Sequence, residues 1–167
     1  MSNSLHQAAI RPPQVSIDDD IAVLEQVPML RALGRGALRL IALGAETREV
    51  QPDEILFRPG ERIDCAYVVQ TGSFRLASDP TKAGRVNEVG PGTLLGEFAL
   101  ISDHAKPLCA TAMGPCTVIR ISRSMFRKIL EDDANAALRL HDYVAHRARQ
   151  SISEVLEVRY SLDPGEK

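Results

Sequence analysis

Three patterns of apolar and polar residues follow one another along the chain. Apolar residues between Ile21 and Val50 recur every three to four positions, which predicts short helices broken at Pro28 and around 34–36. Short alternating segments rich in Val, Ile, Phe and Tyr then run to about Ile121 and predict strands. The pattern becomes helical again from Ser122, in a stretch without glycine or proline up to Tyr160.

Glycines divide the middle of the chain into four segments, each of which we interpret as a pair of strands around a turn. The four segments are EILFRPGE, CAYVVQTGSFRLAS, RVNEVGPGTLLGEF and CATAMGPCTVIRIS. Turn signals at a spacing of roughly ten residues are typical of all-β barrels and rolls. The fold class expected is therefore mainly β with flanking helices.

The helical region after the strands carries an apolar seam. Ser122 or Ser124 can cap the first helix. The seam has a 3-4-3-4-3 spacing, which suits either packing on the chain's own barrel or a partner helix from a second chain. We therefore expect a homodimer through this helix as one of two alternatives. The seam consists of Leu138, His141, Ala145, Ala148, Ile152 and Val155.

The ends of the chain set the expected domain boundaries. Residues 1–20 are polar and predict a flexible arm, although the acidic run at 18–20 equally suits a helix N-terminus. A roll domain is expected over 21–133, a C-terminal helix over 134–160, and a tail over 161–167. Only seven residues follow Tyr160, so we expect no DNA-reading helix-turn-helix.

Charge and hydropathy narrow the class of protein further. The net charge of -2 over 167 residues argues against nonspecific nucleic-acid binding, which depends on an excess of Lys and Arg. Neither a signal peptide nor an apolar run long enough to span a membrane is visible. We therefore expect a cytoplasmic protein whose partners include neither membrane nor nucleic acid.

Residues able to carry metal or covalent chemistry are sparse. Cys65, Cys109 and Cys116 form no Cys-x-x-Cys pair, and we interpret them as reduced, mostly buried thiols. His104 is the one histidine within the strand-rich region, whereas a cupin-type metal enzyme needs clustered His and Glu ligands. We expect no metal and no enzymatic activity.

The strand-rich region resembles a known family at several spaced motifs. FRPGE followed by YVVQTG is similar to the first glycine signature of the cyclic nucleotide-binding domain family, of the catabolite-activator and protein-kinase regulatory type. LGEFAL followed by CATA is similar to the family's phosphate-binding cassette. The resemblance covers residues 25–160 and implies an eight-stranded β-roll between N-terminal helices and a C-terminal helix pair. The ligand it implies is cyclic AMP or cyclic GMP.

The resemblance also assigns roles to residues of the cassette. Gly96 lies where the backbone must approach the ligand closely. Glu97 corresponds to the carboxylate that accepts a hydrogen bond from the ribose hydroxyl. The short helix begun by Phe98 and Ala99 is expected to point free N–H groups at the phosphate. Ser151, on the last helix, corresponds to a residue that touches the base.

The strand of small residues departs from the family pattern. Ala110 and Thr111 correspond to the residues behind the phosphate, although plain barrel filling explains Ala110 as well. Leu108 stands where the family has an arginine, and Cys109 stands where Ser or Thr is usual. Because a hydrogen bond to a charged group contributes roughly 1.5–3 kcal/mol, loss of the arginine predicts binding weakened by roughly ten- to a hundredfold.

Loss of the arginine would also leave Glu97 as an unopposed negative charge near the phosphate. Lys106, Arg75, Arg85 and Arg147 are alternative cations, each explained as simply by a solvated surface position. Two functions remain open. One is a stand-alone cyclic-nucleotide sensor that signals through its C-terminal helix to an unknown effector protein. The other is a degenerate domain with weak or no nucleotide binding that acts in protein interaction or dimerisation.

Overall fold

The N-terminal region forms three helices in this computed structural model, which describes residues 16–79, 87–103 and 108–162, without the side chains of 155–162. The helices are α1 (Ile17–Leu24), α2 (Pro28–Leu33) and α3 (Arg35–Gly44). Ser16 caps α1 by accepting from the Asp19 amide, while the Asp19 carboxylate accepts from the Ser16 amide. Residues 17–20 of the predicted arm therefore belong to a helix, and residues 1–15 lie outside the described residues.

Among the described residues, eight strands form two four-stranded antiparallel sheets, as the predicted roll requires. The first sheet has the order β1-β8-β3-β6 and the second has the order β2-β7-β4-β5. The strands are β1 (Glu46–Val50), β2 (Ile55–Phe57), β3 (Cys65–Thr71), β4 (Phe74–Ala77), β5 (Asn87–Val89), β6 (Leu94–Leu95), β7 (Cys109–Ala112) and β8 (Cys116–Ser122).

Strands joined by a short turn mostly belong to opposite sheets, which corrects the predicted pairing. β3 and β4 flank Gly72 but lie in different sheets. β7 and β8, which follow each other along the chain, also lie in different sheets. β5 and β6 are also separated, and EILFRPGE contributes only β2. Gly72 adopts a φ of 81° in the turn where the chain crosses between sheets. Alternating sequence predicts a strand but does not say which neighbour it pairs with.

The apolar core has two parts that share the first sheet. Inside the roll, Val69, Phe74 and Val118 pack between the two sheets. On the outer face of the first sheet, Val68 and Ile121 pack against the helices. Because β3 and β8 are covered on both faces, most residues of both strands are buried. The three cysteines are buried and free, as predicted.

Two helices follow the strands within the described residues. Helix α5 (Arg123–Asp132) begins at Ser122, whose hydroxyl accepts from the Met125 amide, so Ser122 and not Ser124 is the cap. Helix α6 (Ala134–Leu162) begins at Asp133, whose carboxylate accepts from the Ala136 amide. No helix among the described residues is long and apolar enough to cross a membrane.

Helix α6 packs on its own domain through a face other than the predicted seam. Ala136 and Leu140 are buried in the core, and Tyr143 packs beside them. Leu138 and Ile152 of the seam are each 61% exposed. The alternative in which the seam packs on the chain's own barrel is therefore wrong for these two residues. The side chain of Val155 lies outside the described residues.

Candidate functional site

The turn between β6 and a short helix forms the centre of the site. Gly96 has a φ of 81°, a left-handed conformation that glycine adopts without the steric cost of a Cβ. Helix α4 (Phe98–Ile101) follows directly. The Ala99 amide donates to the Gly96 carbonyl and the Leu100 amide to the Glu97 carbonyl. The prediction that this helix presents free N–H groups to a ligand is therefore wrong for Ala99 and Leu100, whose amides close the turn.

A cavity of about 260 Å³ opens between this turn and the second sheet, and we call it the roll cavity. It brings together Gly96, Glu97, Phe98 and Leu108 from the predicted site. Leu108 therefore lies close to Gly96 and Glu97, as the comparison of motifs predicts. The other lining residues are Phe57, Leu76, Leu94 and Leu95. With the exception of Glu97, all of the lining side chains are apolar.

The Glu97 carboxylate is held by an arginine from the last helix. Arg147 donates from Nη1 to the two carboxylate oxygens of Glu97, at 3.1 and 3.3 Å. The Glu97 charge raises the pKa of Arg147, against the opposing effect of partial burial. The Arg147 guanidinium also lies 5.9 Å from the centre of the Tyr143 ring. The expectation that Glu97 is unopposed is therefore wrong, because α6 supplies its counter-charge.

Of the other cations considered from the sequence, only Arg75 belongs to the described residues, and it does not line the roll cavity. Arg75 lies on β4 opposite Glu88, and its neighbour Leu76 lines the cavity. Because successive side chains of a strand point to opposite faces, Arg75 points away from the cavity. Lys106 and Arg85 lie outside the described residues.

Strand β7 places its small residues on two faces. Ala110 belongs to the core inside the roll, as the barrel-filling interpretation expects. Cys109 and Thr111 alternate with Ala110 and therefore face the other side of the sheet. Both are buried, and the Thr111 hydroxyl has no hydrogen-bond partner. The structure thus does not bring Cys109, Ala110 and Thr111 to the lining of the roll cavity.

A second cleft, of about 200 Å³, separates α6 from α4, and we call it the α6 cleft. Ser151 lines it together with Arg147, and Phe98 and Glu97 border both this cleft and the roll cavity. The predicted base-contacting residue therefore lies beside Glu97 but on the helix side. The remaining lining residues include Met29, Ile101, Tyr143 and Val144.

Arg123 positions α4, a role that sequence reasoning missed. Its guanidinium donates to the carbonyl of Ala99 in α4 and, at 2.8 Å, to the carbonyl of Ile63 before β3. Asp103 lies 3.5 Å from the same guanidinium. Both carbonyls come from distant parts of the chain, so no local pattern could have identified this residue. The result is a fixed C-terminal end for the helix that carries Phe98.

Helix α6 is fixed to α2 near the same site. Arg139 donates to the Leu33 carbonyl, at the end of α2, from Nε at 3.2 Å and from Nη2 at 2.5 Å. A cation at a helix C-terminus meets unpaired carbonyls and the negative end of the helix dipole. This contact and the buried Leu140 hold the first half of α6, so that Arg147 projects towards Glu97.

Comparison with known proteins agrees with this architecture. The family model described as "Cyclic nucleotide-binding domain" matches residues 47–133, which is more than half of the chain. The chain belongs to the cyclic nucleotide-binding domain family. A cyclic nucleotide-binding-like protein from Brucella abortus bv. 1 str. 9-941 is 44% identical, with a TM-score of 0.61, over 68% of this chain and 99% of that one.

Two further proteins are similar to the chain in fold or in sequence. The catabolite activator protein of Thermus thermophilus shares the fold at a TM-score of 0.64, with 21% identity over 80% of this chain and 63% of its own. A cAMP-dependent protein kinase regulatory subunit from Yarrowia lipolytica is 28% identical over 66% of this chain. The chain corresponds to only 28% of the length of that subunit. No group of three metal-ligating side chains is present among the described residues.

Proposed function

We propose that this chain is a non-enzymatic, cytoplasmic sensor module in which a small ligand in the roll cavity changes the position of α6. The observation that carries the proposal is the ion pair between Glu97 and Arg147. Glu97 borders both the roll cavity and the α6 cleft, so a ligand that donates to its carboxylate weakens the attraction between Glu97 and Arg147.

The strength of the ion pair suits a switch. The Arg147 side chain is 54% exposed and that of Glu97 is 25% exposed, and exposed pairs contribute about 0.2–1 kcal/mol. A ligand can shift the helix only by its differential affinity for the two arrangements. Because this ion pair contributes little free energy, one hydrogen bond from the ligand to Glu97 is enough to offset it.

Cyclic AMP and cyclic GMP are the first ligands to test, because the family and its kinase relative name this class. The ribose hydroxyl would donate to Glu97, in the role that the resemblance assigns. The phosphate would lie beside Leu108, without a guanidinium. We therefore expect weak binding of either nucleotide, and Ser151 remains a proposed contact for the base.

Hydrogen exchange of α6 tests the coupling. In the Arg147→Gln variant, amides around 143–151 are expected to exchange faster without ligand and to lose any response to ligand. Arg149→Gln is the matched control, since Arg149 donates to the Ala145 carbonyl of its own helix. If saturating ligand leaves α6 exchange unchanged in the wild type, the sensor proposal is wrong.

A second candidate is a degenerate domain that does not bind cyclic nucleotides and acts through protein contacts. The apolar lining around Leu108 favours it, because the described part of that lining offers no side-chain partner for a phosphate. For both candidate functions, we also propose that the exposed seam of α6 pairs with a second copy of the chain. Calorimetry with millimolar cyclic AMP and cyclic GMP separates the two candidates: heat of binding supports the sensor of nucleotides, and its absence supports the degenerate domain.

A further inference from the structure

We infer that the roll cavity takes an uncharged, mainly apolar small molecule with one hydrogen-bond donor, rather than an anion. This inference deepens the proposed sensor function by naming a class of ligand for the same site. It begins from the chemistry of the lining. Leu76, Leu94, Leu95 and Leu108 surround the cavity together with two phenylalanines, and none of the described lining residues carries a positive charge. An anion transferred there from water would lose its hydration without gaining a partner.

The single charged group of the lining already has a counter-ion on its other side. Glu97 is neutralised by Arg147, which lines the α6 cleft and not the roll cavity. A carboxylate held in this way still has free lone pairs, so it can accept from an O–H or N–H group of a ligand. It offers no attraction to a ligand with a negative charge. The cavity therefore offers one acceptor in an otherwise apolar wall.

The mouth of the cavity has the character of a binding site and not of a packed core. Phe98 is 59% exposed and Leu108 is 38% exposed, whereas Leu95 and Ala110 behind them are buried. Large apolar side chains left open around a concave surface are typical of ligand sites. The exposed Phe98 also borders the α6 cleft, so a ligand that covers it would touch the element expected to move.

The volume sets the size of the ligand. The roll cavity measures about 260 Å³, whereas an apolar cavity of roughly 150 Å³ is known to bind benzene. A molecule of about two rings therefore fits. We expect an aromatic or alicyclic compound with a single hydroxyl or N–H group near Glu97.

The neutral fluorescent probe N-phenyl-1-naphthylamine matches this description, since it has apolar rings and one N–H donor. We expect saturable fluorescence enhancement with the wild-type protein. Leu108→Arg should weaken probe binding by at least about tenfold, because a guanidinium would replace apolar wall. Leu43→Arg introduces the same charge at an exposed leucine of α3 and should leave binding unchanged.

A third variant distinguishes probe binding in the roll cavity from probe binding in the α6 cleft. Val144 lines the α6 cleft but not the roll cavity and is 39% exposed, close to the exposure of Leu108. If Val144→Arg abolishes binding and Leu108→Arg does not, the probe occupies the α6 cleft and the inference is wrong. Thermal denaturation checks the folding of each variant, and Leu108→Gln replaces Leu108→Arg if the latter is unfolded.

Competition and helix motion distinguish the two proposals. The inference is overturned if wild-type protein shows no saturable binding of the probe, or if micromolar cyclic AMP or cyclic GMP displaces it. Hydrogen exchange of α6 with bound probe gives the independent readout. Probe binding that depends on Leu108 but leaves α6 unchanged would support the ligand class and refute the sensor mechanism. A response of α6 to micromolar cyclic nucleotide would support the sensor mechanism and refute the ligand class.

Discussion

Replacing Leu108 by arginine should convert the roll cavity into a better cyclic-nucleotide site. Leu108 lies at the cavity wall with Gly96 and Glu97 and is partly exposed, so a longer side chain has room to reach a bound phosphate. An arginine can donate two bonds to phosphate oxygens at once. Leu108→Arg is therefore expected to raise the affinity for cyclic AMP and cyclic GMP.

The size of the gain follows from three opposing contributions. Two hydrogen bonds between charged groups give roughly 3–6 kcal/mol. Ordering the arginine side chain costs about 2 kcal/mol, and competing attraction to Glu97 subtracts about 0.2–1 kcal/mol. The remainder spans roughly 0–4 kcal/mol, and its midpoint of about 2 kcal/mol corresponds to about a 30-fold decrease in Kd.

Isothermal titration calorimetry of the wild-type protein and Leu108→Arg measures this change directly. Leu108→Gln adds polar length without charge and is the matched control, whereas Leu108→Lys supplies a point charge and should give a smaller gain. The gain in Leu108→Arg should shrink as salt is added, since part of the attraction is screened. Equal Kd values for wild type and Leu108→Arg, or an equal gain from Leu108→Gln, would refute the placement of the phosphate.

Three further changes test other parts of the structure. Gly72→Ala should lower the free energy of unfolding by at least about 1–2 kcal/mol in urea denaturation, because the residue has a φ of 81° and its Cβ would lie 2.7 Å from a backbone carbonyl oxygen. Arg123→Met should cost about 1–3 kcal/mol, since it leaves two carbonyls without their donor, and should speed hydrogen exchange in α4. Leu138→Glu combined with Ile152→Glu should halve the mass measured by light scattering if the α6 seam forms a dimer.

Two of these changes have a matched control. Gly90→Ala places a Cβ in open space and should be nearly neutral, so equal losses at Gly72 and Gly90 would contradict the turn argument. Arg127→Met removes an exposed arginine from the same helix as Arg123 and should not affect α4. Truncation at Asp133 is a poorer test of the dimer than the glutamate variants, because it would remove the buried Leu140 and expose the core. If the wild type is a dimer and the double glutamate variant has the same mass, the α6 seam does not form the dimer.

The fold could be predicted from local patterns, whereas the site depends on contacts that those patterns do not contain. Glycine spacing and alternation predicted the strands, but the turn at Gly72 has no feature that shows the next strand joining the other sheet. The position of Leu108 beside Gly96 followed from the order of two motifs. Arg147 is 50 residues from Glu97 along the chain, and their pairing requires the direction of α6.

The direction of α6 is set by packing that becomes visible only in three dimensions. The sequence offered Leu138 and Ile152 as an apolar seam, but the buried face runs through Ala136, Leu140 and Tyr143. Alanine and tyrosine contribute little to an apolar periodicity, so the pattern favoured the wrong face. Once Leu140 is buried, Arg147 lies two turns further along the same side of the helix and faces Glu97.

The central position of β8 in its sheet constrains how the protein can be made. β1 and β3 pair with β8 on its two edges and not with each other, so neither has its main partner until residues 116–122 exist. During synthesis on the ribosome, β1 stays without a strand partner and β3 pairs only with the two-residue β6 until β8 is made, while the helices before residue 45 can form early. A chain that stops within β8 would leave two open strand edges, and such edges favour association with other chains.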